Sequence, residues 1–187
     1  MTDISRLIHL NGPPGVGKTS LARRYLADHP LSLMVDVDTL RVSLGQWETH
    51  EESTLLAREL ALALIGAHLA AGHDVVIPQY LGRIVFIERL QVTAEQHRVA
   101  FVEVLIVANH STAVDRFRRR REEMGSLPDR HPEADVNDND VDDIVTRAIS
   151  QLAEISLQRP ETRMVPATGD LEQTYRQLLA ALNDPAP

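Results

Sequence analysis

Eight consecutive residues, Gly12-Pro13-Pro14-Gly15-Val16-Gly17-Lys18-Thr19, satisfy the pattern G-x-x-x-x-G-K-[ST] in full, and nothing else in the chain constrains its fold as strongly. A loop of this kind wraps backbone N–H groups around a phosphate, so Gly12, Gly15 and Gly17 omit side chains or take unusual φ/ψ values. Lys18 sets a positive charge against the β- and γ-phosphates. The Thr19 hydroxyl suits a Mg²⁺ ion, and the helix running on through Ser20 adds its N-terminal dipole. A random chain of this size would carry the pattern roughly once in a hundred or less. Here a strand precedes it and a helix follows, which chance does not supply. Lys18 is also the sole lysine, so that one side chain has been placed at the phosphates.

Hydrophobic periodicity organises the rest. Residues 6–11, 31–37, 74–77, 100–108 and 163–167 read as strands. Residues 18–28, 51–71, 85–97, 111–123, 141–158 and 171–182 read as helices. Strands alternating with helices predict an α/β fold, with a mostly parallel sheet covered on both faces. Residues 1–187 read as one domain, with no repeat and no linker. Residues 122–140, rich in Pro, Gly and Asp, are expected to form a mobile loop that carries Arg130 and His131. The tail, residues 183–187, is expected to fray.

Composition narrows the class. The chain has 187 residues, enough for a core of its own, and no cysteine, which excludes disulfides, zinc–thiolate sites and cysteine nucleophiles. A net charge of −8 argues against a broad nucleic-acid-binding face. The longest apolar run, residues 60–72, is read as too short for a bilayer and contains His68. The first residues lack a signal peptide's apolar stretch, so the expectation is a cytoplasmic protein with no membrane partner.

The strand-end sequence Val35-Asp36-Val37-Asp38-Thr39-Leu40-Arg41 places two carboxylates two residues apart. Strand alternation would turn both to one side, where one could serve a hydrated Mg²⁺ and the other take a proton from a hydroxyl. The competing reading is a helix start capped by Asp38. In residues 111–123, Arg116, Arg119 and Arg120 share one arc of a helix, opposite Ala113, Val114 and Phe117.

Through the Gly12–Thr19 loop, the Asp36–Arg41 segment and the arginine helix, the chain resembles the P-loop kinases. That group of small phosphotransferases includes shikimate kinase, gluconate kinase, adenylate kinase and chloramphenicol phosphotransferase. The resemblance follows the order of elements over nearly the whole chain. It implies the P-loop NTPase three-layer fold, a five-stranded parallel sheet and a lid at about residues 122–140. It also implies ATP and Mg²⁺ as cofactors and transfer of the γ-phosphoryl group to a small-molecule acceptor. By the D-x-D of shikimate kinase, Asp36 joins Thr19 in the metal shell and Asp38 serves the acceptor hydroxyl as base. By the D-x-x-R of adenylate kinase, Arg41 holds an anion on the acceptor. The R-x-x-x-R element makes Arg116 the adenine-stacking residue and Arg120 the late charge on the transferring group. Thr168-Gly169-Asp170 is similar to the loop along the adenine edge.

The sequence departs from this group after the third strand, which many relatives end with an Asp. Pro78-Gln79-Tyr80-Leu81-Gly82-Arg83 offers no carboxylate. Either Asp36 takes that duty alone or Gln79 holds a metal-bound water, with Arg83 reaching the acceptor or the γ-phosphate. Two other readings stay open: a nucleoside monophosphate kinase, and a P-loop ATPase or nucleotide-dependent regulator without a small acceptor. A polynucleotide kinase conflicts with the acidic balance. His9 is expected to be packed rather than catalytic, and Trp47 to line an acceptor pocket or the core.

Overall fold

The computed structural model describes residues 5–125 and 136–184. Among them β1 (Arg6–Asn11), β2 (Leu33–Met34), β3 (Val75–Ile77), β4 (Ala100–Val107) and β5 (Arg163–Pro166) form one parallel sheet in the order β2-β3-β1-β4-β5. The crossovers are α1 (Lys18–Asp28) after β1, α2 (Val37–Val42) and α3 (Ser53–Ala70) after β2, and α4 (Ile84–His97) after β3. Helices α5 (His110–Gly125) and α6 (Val141–Gln158) follow β4, and α7 (Leu171–Asn183) follows β5. This is the expected α/β fold, a five-stranded parallel sheet with helices linking the strands. Arg130, His131, residues 126–135 of the expected lid and residues 185–187 of the tail lie outside the described residues.

Period-two alternation sorts the core into two layers. Leu7, Val75 and Ile77 turn to one face, against Ala57, Ala61 and Ile65 of α3 and Phe86 and Leu90 of α4. Ile8, Leu10, Val76, Val104 and Ile106 turn to the other, against Leu21 and Tyr25 of α1 and Tyr175 and Leu178 of α7. A smaller cluster joins Ala113, Val114 and Phe117 of α5 to Val141 and Val145 of α6. β1 has β3 on one side and β4 on the other, with Leu7 opposite both Val75 and Phe101. The strand order therefore reverses at β1, and the crevice beyond its carboxyl end is where such sheets bind ligands.

Two expectations are corrected. The strand expected over residues 31–37 is regular only at Leu33–Met34, with one further bond from Val35 N to Val76 O at 2.9 Å. Leu31 takes a left-handed φ of 66, and at the other end Asp36 Oδ1 accepts from Asp38 N (3.0 Å) and Thr39 N (3.1 Å). A carboxylate that satisfies two helix-start amides ends the strand and opens α2. Asp36, not Asp38, is therefore the cap, and the two carboxylates do not share a strand face. Second, α3 is long and apolar enough by length and composition alone to cross a membrane. In the fold it lays Ala57, Ala61, Ile65 and Leu69 on the sheet and leaves Leu55, Leu56, Leu60 and Leu64 exposed on its other face.

His9 is fully buried in β1. Its Nε2 lies 3.1 Å from the Gln79 carbonyl oxygen, an acceptor only, so the proton sits on Nε2. Glu103 Oε1 is 3.9 Å from Nδ1, but that carboxylate is engaged by Arg159. Burial, with smaller contributions from Lys18 and Arg159, pushes the imidazole down from 6.5 to about 4 and keeps it neutral. The unfolded chain takes up a proton near 6.5, whereas the folded chain resists until about 4. The contribution is thus complete above the first value and lost as pH falls between the two. Urea unfolding at pH 7 and pH 4.5 should show wild type losing about 2–3 kcal/mol more than His9→Gln; parallel losses would mean His9 is charged in the fold.

Candidate active site

The turn between β1 and α1 is shaped by what it lacks. Gly15 has φ +79, and a methyl group placed on it would lie 2.6 Å from the Ala113 carbonyl oxygen and 2.7 Å from Phe117 N. Helix α5 therefore rests directly on the turn. Gly12 has φ +150, and a methyl there would meet Ile106 O at 2.7 Å. Gly17 is the N-cap of α1 and supplies no side-chain cap. The first amides of a helix have no partner inside it, so the α1 amides at Lys18, Thr19 and Ser20 are suited to an anion. Lys18 is buried, with Nζ donating to Gly12 O (2.9 Å) and Pro13 O (3.0 Å), which ties the ammonium group across the turn. Pro13, Pro14 and Val16 are buried in its wall. One detail differs from expectation: Gly12 N donates to Asn11 Oδ1 at 2.9 Å, so that amide points into the protein.

A cavity of about 690 Å³ opens over this turn, lined by Gly15–Leu21, Arg23, Arg116, Arg119, Arg120, Glu123 and the loop after β5. Buried Ala113 and Phe117 anchor α5, and Arg116 and Arg120, one turn apart, border the cavity. A side chain on Gly169 would come 3.8 Å from Arg116 Nη2, so Arg116 and that loop face each other. Thr168 is absent from the lining, although Ala167 and Gly169 belong to it. Its N–H instead donates to Thr174 Oγ1 at 3.3 Å. Arg119 is mostly exposed and paired with Glu123 at 3.9 Å, a contact worth little in solvent.

A second group of residues lies toward β3. Gln79 Nε2 donates to Asp38 Oδ2 at 3.0 Å, a contact invisible in the sequence. Arg58 of α3 sits 5.2 Å over the Phe86 ring. Burial, then the charge of Arg83, hold its guanidinium below the ordinary value, and Asp38 acts in the opposite direction. Asp38, Arg58, Arg83 and Gln79 thus share one neighbourhood. Arg41 is braced elsewhere: its Nε donates to Ser53 Oγ at 3.0 Å, and its guanidinium lies 4.9 Å from the Trp47 ring centre. Asp36 spends Oδ1 on the α2 cap. No group of three His, Asp or Glu among the described residues is built to hold a metal.

Sequence reasoning missed Arg23, Arg58 and Asn11. Arg23 follows Thr19 by one helical turn, a spacing that points to the same face. Arg58 is far from Asp38 in sequence, and no pattern signals their approach.

The AAA domain family model matches residues 7–139. Three solved structures align over nearly the whole chain. The tunicamycin resistance protein of Deinococcus radiodurans has a TM-score of 0.61 and 21% identity, covering 98% of this chain and 99% of its own. A gluconokinase from Sinorhizobium meliloti 1021 gives 0.58 and 20%, covering 96% and 92%. Shikimate kinase from Bacteroides thetaiotaomicron gives 0.58 and 17%, covering 96% and 99%. At these identities the likeness is one of fold. No curated protein matches significantly.

The contact of α5 with Gly15 separates two glycines of the same turn. Gly15→Ala combines left-handed strain with a clash and should destabilise the fold by about 2–4 kcal/mol. Gly17→Ala, where a methyl meets nothing within 4 Å, should cost only about 1–2 kcal/mol. Equal losses in urea unfolding would contradict the contact.

Proposed function

The chain belongs to the AAA domain family, and from that footing we propose that it is an ATP-dependent phosphotransferase. It moves the γ-phosphoryl group to a hydroxyl of a small-molecule acceptor, in the cytoplasm. The observation that carries this reading is the turn itself: glycines that exclude side chains, uncapped α1 amides and a buried lysine beneath a cavity bordered by arginines. That arrangement fits a nucleotide polyphosphate. The amides and Lys18 hold its phosphates, and Arg116 bounds the side where a base would lie. Arg120 supplies positive charge where the transferring group gains negative charge, an effect that favours the transition state over the ground state. Mg²⁺, arriving with the nucleotide, would be held by Thr19 and, through its remaining oxygen, Asp36; it would neutralise phosphate charge.

On the acceptor side, Asp38 takes the hydroxyl proton as the acceptor oxygen bonds to the γ-phosphorus and the bond to the bridging oxygen breaks, leaving ADP. Gln79 Nε2 fixes the Asp38 carboxylate, and its Oε1 is the atom that would serve a metal-bound water. Arg58, within electrostatic reach of Asp38, and Arg83, within reach of Arg58, favour an acceptor that carries negative charge near its hydroxyl. Arg41, braced by Trp47 and Ser53, shapes this end of the site. The monophosphate-kinase reading differs only in the acceptor, and the same two arginines support it.

A screen for ADP production above basal hydrolysis, over hydroxy acids, sugar acids, nucleoside monophosphates and neutral sugars, distinguishes these readings. Stimulation by an anionic class is expected. Stimulation by neutral sugars alone would remove the arginines from the acceptor site. With the active acceptor, Lys18→Ala should abolish turnover, and retained turnover would reject the cradle. Asp38→Asn should keep ATP affinity while slowing transfer by about 10²–10⁴-fold; an unchanged rate would reduce Asp38 to a helix residue.

A further inference from the structure

Asn11 closes β1 one residue before the turn and is 1% exposed. Its amide makes three hydrogen bonds, with no solvent to replace any of them. Oδ1 accepts from Gly12 N at 2.9 Å and from Leu81 N at 3.0 Å, while Nδ2 donates to Leu81 O at 3.1 Å. A single side chain thus clamps both backbone groups of Leu81 and the first amide of the phosphate turn. Leu81 belongs to the loop between β3 and α4, which has further moorings. His9 holds the Gln79 carbonyl from β1, the Gln79 side chain holds Asp38, and Tyr80 Oη donates to Gln151 Oε1 of α6 at 2.5 Å. The path from Gly12 through Asn11, Leu81 and Gln79 to Asp38 is continuous in bonds and backbone.

We propose that Asn11 is a positioning residue that couples occupancy of the phosphate turn to the acceptor loop, so that filling the turn stiffens Gln79–Arg83 and with it the Asp38 carboxylate. The proposal rests on the phosphotransferase reading, since it assigns the turn to a nucleotide and the loop to the acceptor. Asn suits the task because it is donor and acceptor at once. Asp of the same shape loses the donor to Leu81 O and sets a carboxylate against a carbonyl oxygen, whereas Ala loses all three bonds. The coupling is a shared change in local opening, which hydrogen exchange reads directly.

Amide hydrogen exchange is measured with and without saturating Mg·ADP on wild type, Asn11→Asp and Asn11→Ala. In wild type, the nucleotide should slow exchange of the turn amides and of Leu81 N–H, the latter by about tenfold or more. In the variants the turn should keep its protection while the response at residues 79–83 vanishes. A merely structural Asn11 would raise exchange with and without nucleotide alike, leaving that response intact; this result overturns the proposal. A wild type protected at the turn but unchanged at Leu81 overturns it too. No protection of the wild-type turn would reject the nucleotide reading itself, a separate failure. Should Asn11→Ala not fold, Asn11→Asp and wild type decide.

Discussion

Helix α5 touches the Gly12–Thr19 turn at a point where no side chain intervenes, and the rest of the site is arranged around that contact. Backbone meets backbone because Gly15 holds a positive φ and has no Cβ to strike Ala113 O or Phe117 N. The approach fixes the height of Arg116 and Arg120 above the turn, and buried Phe117 and Ala113 keep the helix from rolling. The same economy appears at Gly12 against Ile106 O, which seats the turn on the end of β4. A polyphosphate site needs closely spaced amides with cations above them. Both follow here from where glycine permits close approach.

The end of the site toward β3 is held by polar bonds rather than close packing. Gln79, whose carbonyl is anchored by a neutral His9, turns its side-chain amide to Asp38. Asp38 lies in the first turn of α2, which Asp36 caps. The two carboxylates that look alike in sequence therefore have different partners: Asp36 organises the backbone, and Asp38 presents its side chain to Gln79 and lies within electrostatic reach of Arg58. Buried or half-buried polar groups of this kind are costly when partly satisfied, so the arrangement rewards one geometry.

Much of this was legible in the chain. The bounds of β1, α1 and α6 follow from apolar runs, the Gly12–Thr19 pattern and helical periodicity. The arginine face of α5 follows from spacing on a helix whose opposite side is apolar. What stayed hidden depends on contacts between segments far apart in sequence. The strand expected through Val37 yields to a cap because Asp36 finds two amides that extended backbone would not present. Arg58 is one residue of a long helix, and only tertiary packing brings it near Asp38. Asn11 reads as a polar strand end, and its three partners appear only once Leu81 is folded beside it.

The central claim is that the amides of the Gly12–Thr19 turn bind a nucleotide polyphosphate. Its most direct measurement is a titration of ¹⁵N-labelled protein with Mg·ADP, following the backbone amide resonances of Gly15, Gly17, Lys18 and Thr19. Saturable shifts at these amides, with one common affinity, are the predicted result. Resonances that stay in place at millimolar nucleotide, or shifts that gather on another surface, would contradict the account.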